Sequence, residues 1–132
     1  MRASVLTAEG VFLVDLEDES VLGPAADAEF DPPPEPAARP FLPRLVAASA
    51  AGSTIVAVVD TRPPLAVSHD AGRTWRESGR GLPPGQAVAV SAENPDHVLF
   101  AAGNRLYAST DGGRFWRSLE AELPEIEGVA WA

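Results

Sequence analysis

The sequence predicts an all-β fold, and three observations lead there. An eight-residue phrase occurs twice, as SHDAGRTW at Ser68–Trp75 and as STDGGRFW at Ser109–Trp116, 41 residues apart. Short apolar runs are broken at close intervals by 13 prolines and 11 glycines, the pattern of brief strands joined by turns. Helical spacing of apolar residues is absent except for a weak run at Leu119–Leu123, read as strand end and linker.

Composition narrows the class further. With 132 residues, 45% of them hydrophobic, the chain fits one domain (1–132) with a real core. The net charge is -9, and all ten cations are arginine, dispersed rather than clustered. That balance argues against nucleic acid and against an anionic membrane surface. There is no cysteine, which excludes disulfides and thiolate metal sites. No apolar stretch approaches a membrane span, and the opening MRASVLTAEGVFLVDLEDES has acids early and no uninterrupted apolar core of secretory length. The expected setting is cytoplasmic, with no cofactor and no metal.

The surroundings of the phrase repeat as well. In the second copy the strand candidates are Ala87–Ser91, His97–Ala101, Arg105–Ser109 and Arg114–Leu119, separated by Asn94-Pro95-Asp96, Gly103-Asn104 and Asp111-Gly112-Gly113. In the first copy they are Leu45–Ser49, Thr54–Val59, Leu65–Ser68 and Arg73–Glu77. Four strands recurring with a period of roughly 40 to 45 residues is the signature of a β-propeller blade. The N-terminal segment aligns from a second strand onward: Val5-Leu6 with Val98-Leu99, and Val11-Phe12-Leu13 with Leu106-Tyr107-Ala108. Asp15–Ser20 then falls where the phrase belongs but lacks its Ser, Gly and Trp. At the other end GVAWA, Gly128–Ala132, matches a first strand.

The chain therefore reads as three four-stranded antiparallel blades: about 2–30 plus 128–132, about 44–79, and about 86–121. A proline-rich linker, 31–43, joins the first two; polyproline II or a rigid loop is its plain reading, with Phe41 and Leu42 capping the propeller or a subunit seam. Three blades are too few to close, since propellers run from about four to eight. The expectation is a C2 homodimer in which each subunit lends its last strand, with Val129 and Trp131, to its partner's first blade, making six. The alternatives are a larger closed multimer, an arc of a longer propeller, or an independently folded non-propeller sheet.

The phrase Ser-x-Asp-x-Gly-x-Thr-Trp resembles the Asp-box, or bacterial neuraminidase repeat, over Leu45 to about Leu123. That resemblance implies a propeller such as those of sialidases, xyloglucanases, sortilin-like receptors and photosystem II assembly factors. It also implies that Ser68, Asp70, Gly72, Thr74, Trp75, Ser109, Asp111, Gly113 and Trp116 are structural, away from any active site. Phe115 departs from the motif, standing where Thr is preferred. The chemistry agrees: each Asp can accept N–H groups of its own turn, each Gly supplies a conformation closed to side chains, and each Trp packs under the turn.

Ligands of propellers meet the loops between second and third strands and the blade linkers. Here these carry Asp60, Arg62, Arg80, Asn104, Arg105, Glu122 and Glu125. Asp60, Arg62, Arg80 and Arg105 form the candidate ligand face, with arginines suited to carboxylate or phosphate. No catalytic residue stands out. Tyr107, the one tyrosine, sits in a core pattern, and neither His69 nor His97 is placed as a metal ligand. The expected function is a non-enzymatic binding or assembly module for a protein segment or small acidic ligand; the alternative is a glycan-binding or glycoside-hydrolase-like propeller.

Overall fold

The computed structural model describes residues 1–25 and 28–132. The strands are β1 (Arg2–Thr7), β2 (Gly10–Asp15), β3 (Val21–Ala25), β4 (Leu45–Ala51), β5 (Thr54–Val59), β6 (Leu65–Ser68), β7 (Arg76–Ser78), β8 (Ala87–Val90), β9 (Val98–Ala102), β10 (Arg105–Ser109), β11 (Arg117–Ser118) and β12 (Ile126–Trp131). They form three four-stranded antiparallel sheets: sheet 1 in the order β12-β1-β2-β3, sheet 2 in the order β4-β5-β6-β7, and sheet 3 in the order β8-β9-β10-β11. No helix among the described residues is long and apolar enough to cross a membrane.

The sheets stack in the spatial order 2, 3, 1. One core joins sheets 1 and 3 through Val5, Phe12 and Val14 on one side and Leu99, Leu106 and Leu119 on the other. A second joins sheets 2 and 3 through Val56, Val58, Leu65 and Val67 against Val90, Val98, Phe100 and Tyr107. Sheet 3 is thus covered on both faces, which explains why AVAV and VLFAA are continuously apolar rather than alternating. β1 shows the alternation of a strand with one packed face. Each fully buried large side chain here contributes about 1.5–3 kcal/mol by leaving water.

The last strand closes the first sheet within the same chain. β12 runs antiparallel to β1 with Ala3 opposite Trp131, Ser4 opposite Ala130 and Val5 opposite Val129. Val129 is buried in the core between sheets 1 and 3. The Trp131 indole N–H donates to the Ala89 carbonyl at 3.1 Å, and its ring lies 5.9 Å from that of His97. In this structure β12 closes the first sheet of its own chain, and Val129 and Trp131 pack against sheet 3. The path of the linker makes this possible. Phe30 packs on Gly128 of β12, the Pro34 carbonyl accepts from Ser49 Oγ and the Ala50 N–H, and the Arg44 carbonyl accepts from the Asp60 N–H. The linker so crosses from sheet 1 to the far end of β4 and then retraces that strand. Phe41 is fully exposed at 105%, whereas Leu42 is partly buried.

Other boundaries also moved. β7 and β11 begin only after Trp75 and Trp116, because the Asp70 carboxylate holds the Thr74 N–H and the Asp111 carboxylate holds the Phe115 N–H, which keeps each turn curled until then. β9 begins at Val98, since the His97 N–H is turned back to the Asn94 carbonyl.

A chain lacking Val129–Ala132 leaves β1 without its partner and uncovers the core of sheet 1. We expect it to lose the cooperative thermal transition seen by circular dichroism; a transition retained within a few degrees would contradict this closure.

Candidate functional site

The two copies of the phrase build the same hairpin. In the first, Asp70 Oδ1 accepts from Ser68 Oγ at 2.8 Å and from the Thr74 N–H at 2.9 Å, and Oδ2 accepts from Thr74 Oγ1 at 2.6 Å. Ser68 Oγ in turn accepts from the Gly72 N–H at 2.8 Å. In the second, Asp111 Oδ1 accepts from Ser109 Oγ at 2.8 Å and from the N–H groups of Arg114 and Phe115, each at 3.1 Å. Phe115 keeps the backbone bond, loses the hydroxyl bond that Thr74 makes, and leaves its ring 79% exposed. Gly72 and Gly113 sit at φ of 91° and 88°, a region that side chains disfavour.

These bonds acidify the carboxyls. The Thr74 hydroxyl, then the Thr74 N–H and the Ser68 hydroxyl, lower Asp70 from 3.8 to about 2. For Asp111, burial is the largest single influence and pushes upward, but the donors from Phe115, Ser109 and Arg114 together hold it below its ordinary value. The hairpin of sheet 1 is pinned differently. Asp15 Oδ1 accepts from the N–H groups of Glu17 and Asp18, and Asp18 Oδ1 accepts from the Ser20 N–H at 2.9 Å; the Ser20 hydroxyl, then its N–H, lower Asp18.

The hairpins also lock one sheet to the next. The Ser78 hydroxyl donates to the Gly113 carbonyl and accepts from the Trp116 indole at 3.0 Å. The Trp75 indole instead turns back to the Gly72 carbonyl at 3.1 Å. Arg117 donates to the Leu16 carbonyl at 2.6 Å and the Glu120 N–H donates to Glu19 at 2.7 Å, joining sheets 3 and 1. Between the two phrase hairpins lies a cleft lined by His69, Asp70, Arg76, Glu77 and Arg114 among others. Its charges are mixed. His69 is exposed there, with Nδ1 3.4 Å from Thr54 Oγ1, and its ring stands against Gly112.

The opposite loops carry the candidate ligand face, and the structure divides it. Arg62, from the β5–β6 loop, and Arg80, from the β7–β8 linker, line one cleft of about 520 Å³ with Pro63, Leu82, Pro83 and Pro84. Arg105 lines the equivalent cleft of sheet 3, with Asn104, Glu120 and Glu122. Its guanidinium donates to the Leu119 carbonyl at 3.4 Å. Asp60 is exposed outside both linings, its backbone engaged with Arg44. Among the described residues the one ion pair within 4 Å joins the terminal ammonium to Glu17, so Arg62 and Arg80 are not neutralised by a paired carboxylate. No group of three His, Asp or Glu among the described residues is placed to hold a metal ion. Tyr107 is buried against Phe100 with ring centroids 5.8 Å apart.

Gln86 is a residue the sequence did not single out. Its amide donates to the carbonyls of Gly103 and Ile126, both at 2.8 Å, and accepts from the Gly103 N–H at 2.9 Å. It thereby fixes the β9–β10 turn beside the start of β12. The only signal was a polar side chain ahead of an apolar run, which is too common to mark a site.

Comparison with protein-family models, with curated proteins and with solved structures found no match to this chain.

Because the folded pKa of Asp70 lies below its unfolded value of about 3.9, the carboxylate stabilises the fold above that value. The contribution fades as pH falls toward about 2. Asp70→Ala should therefore lower the thermal midpoint by a constant amount above about pH 5, and the gap to the unmodified chain should close toward pH 2. A gap that persists at low pH would show that the carboxylate bonds are not its source.

Proposed function

We propose that the three sheets are blades of an Asp-box-type β-propeller and that the chain is a non-enzymatic binding module for a small acidic ligand or an acidic protein segment. One observation carries the reading: Arg62 and Arg80 line a single cleft with no carboxylate in its lining. Two guanidinium groups offer planar, permanently charged donors that match carboxylate or phosphate oxygens. The proline and leucine walls suit the apolar part of such a ligand, and they come from two short segments held by backbone bonds: the Val59 N–H to the Pro64 carbonyl and the Leu82 N–H to the Gly79 carbonyl. That rigidity limits the ordering cost of binding.

The cleft at Arg105 supports no hydrolase. Its two acids, Glu120 and Glu122, stand on the same linker, whereas glycoside hydrolysis needs carboxylates facing each other across the scissile bond.

Calorimetric titration with an Asp- and Glu-rich peptide and with inorganic phosphate tests the proposal. Arg62→Ala and Arg80→Ala should each weaken binding of the responding probe by about tenfold or more, the equivalent of a lost charged hydrogen bond, while Arg105→Ala leaves it unchanged. No binding of either probe, or binding indifferent to both arginines, would overturn the reading. So would turnover of a fluorogenic glycoside that is lost in Glu122→Gln.

A further inference from the structure

We propose that the Arg39–Arg44 segment of the linker docks into the outer cleft of sheet 1 on a second copy of this chain, making a reciprocal two-fold dimer. The stacking order leaves two end faces. Sheet 1 turns Val5, Phe12 and Val14 toward sheet 3. On its other face Ser4, Val11, Leu13, Leu22 and Ala130 line an open cleft. At the opposite end, the far face of sheet 2 holds Ile55, Ala57, Val59 and Ala66, which are already shielded at 9% exposure or less. The linker runs alongside β4, held by the Pro34 and Arg44 carbonyls, and it presents Phe41 fully to solvent.

Shape and charge both match this segment to that cleft. Arg39-Pro40-Phe41-Leu42-Pro43-Arg44 places one aromatic and one aliphatic side chain between prolines, with an arginine at each end. Proline-rich segments of this kind are extended before they bind and lose little entropy in an apolar groove. The cleft offers Val11, Leu13 and Leu22 as its apolar floor, with Glu29 and Asp31 among its lining residues. The segment carries an arginine at each end, and the cleft offers two carboxylates that can pair with them.

The segment does not reach this cleft within its own chain. Pro34 is bonded to Ser49 and Ala50, and Arg44 to Asp60, so the segment is held at sheet 2 while sheet 3 separates sheet 2 from sheet 1. A second copy has no such restraint. When each copy inserts its segment into the other, the two contacts are identical and the assembly closes. This contact is independent of the Arg62–Arg80 cleft, so the mass and titration experiments fail separately.

Light scattering coupled to gel filtration tests the inference. The unmodified chain should show twice its 13.8 kDa mass. Phe41→Asp and Leu22→Asp, at side chains 105% and 59% exposed, should each return one-chain mass with an unchanged circular dichroism spectrum. Either variant alone suffices should the other not fold. A labelled peptide of residues 38–44 should bind the Phe41→Asp chain, whose cleft is intact, at least tenfold more tightly than the Leu22→Asp chain. One-chain mass for the unmodified protein at all concentrations, a mass of three or more chains, a dimer that survives both substitutions, or equal peptide binding by the two variants would overturn the proposal.

Discussion

The pairing of β12 with β1 is the constraint on which the remaining arrangement depends. β1 enters the structure with one edge unpaired, and an open edge invites association with any available strand. Once the chain's own last strand occupies that edge, sheet 1 must lie beside sheet 3, because β12 follows β11 after a linker of seven residues, 119–125. Sheet 2 is then left at the far side of sheet 3, and the linker that follows β3 has to reach back across the stack. This accounts for the length and stiffness of 31–43. A shorter connection between adjacent sheets, such as 79–86 between β7 and β8, would not span it.

Within that frame the repeated hairpins act as fasteners at two levels. Each carboxylate satisfies N–H groups that the turn would otherwise leave open, which fixes the curl ahead of the final strand. The fixed curl then presents a neighbour-facing surface: Gly113 lies against Val67, and Ser78 bridges Gly113 and Trp116. Local turn chemistry thus sets the spacing between sheets 2 and 3. In sheet 1 the same task falls to Leu16 and Glu19, which bond Arg117 and Glu120, so the fastening function outlasts the motif that performs it elsewhere.

Much of this was legible from residue order. Two registered copies of Ser, Asp, Gly and Trp gave the four-stranded unit, and the Val5 and Val129 segments were readable as a sheet missing one strand and a strand missing its sheet. Which molecule supplies that strand was not legible. The answer lies in the linker's route, and that route is fixed by the carbonyls of Pro34 and Arg44, backbone groups that every residue possesses. The candidate site divided for a related reason. Arg62 and Arg105 are equivalent in the repeat, yet Glu120 and Glu122 lie beside only the second, a proximity created by folding. Gln86 escaped notice because all its partners are main-chain atoms.

The closure is open to one direct measurement. Ser4 and Ala130 stand opposite each other in the β1–β12 pair, where antiparallel neighbours are about 4.5–5.5 Å apart, within the span of a disulfide. The natural chain has no cysteine, so in the Ser4→Cys/Ala130→Cys double variant any bridge reports that pair alone. If the last strand belongs to its own first sheet, oxidised protein runs as a single chain on non-reducing electrophoresis with both thiols consumed. A covalent two-chain species, with no bridged single chain, would contradict the account.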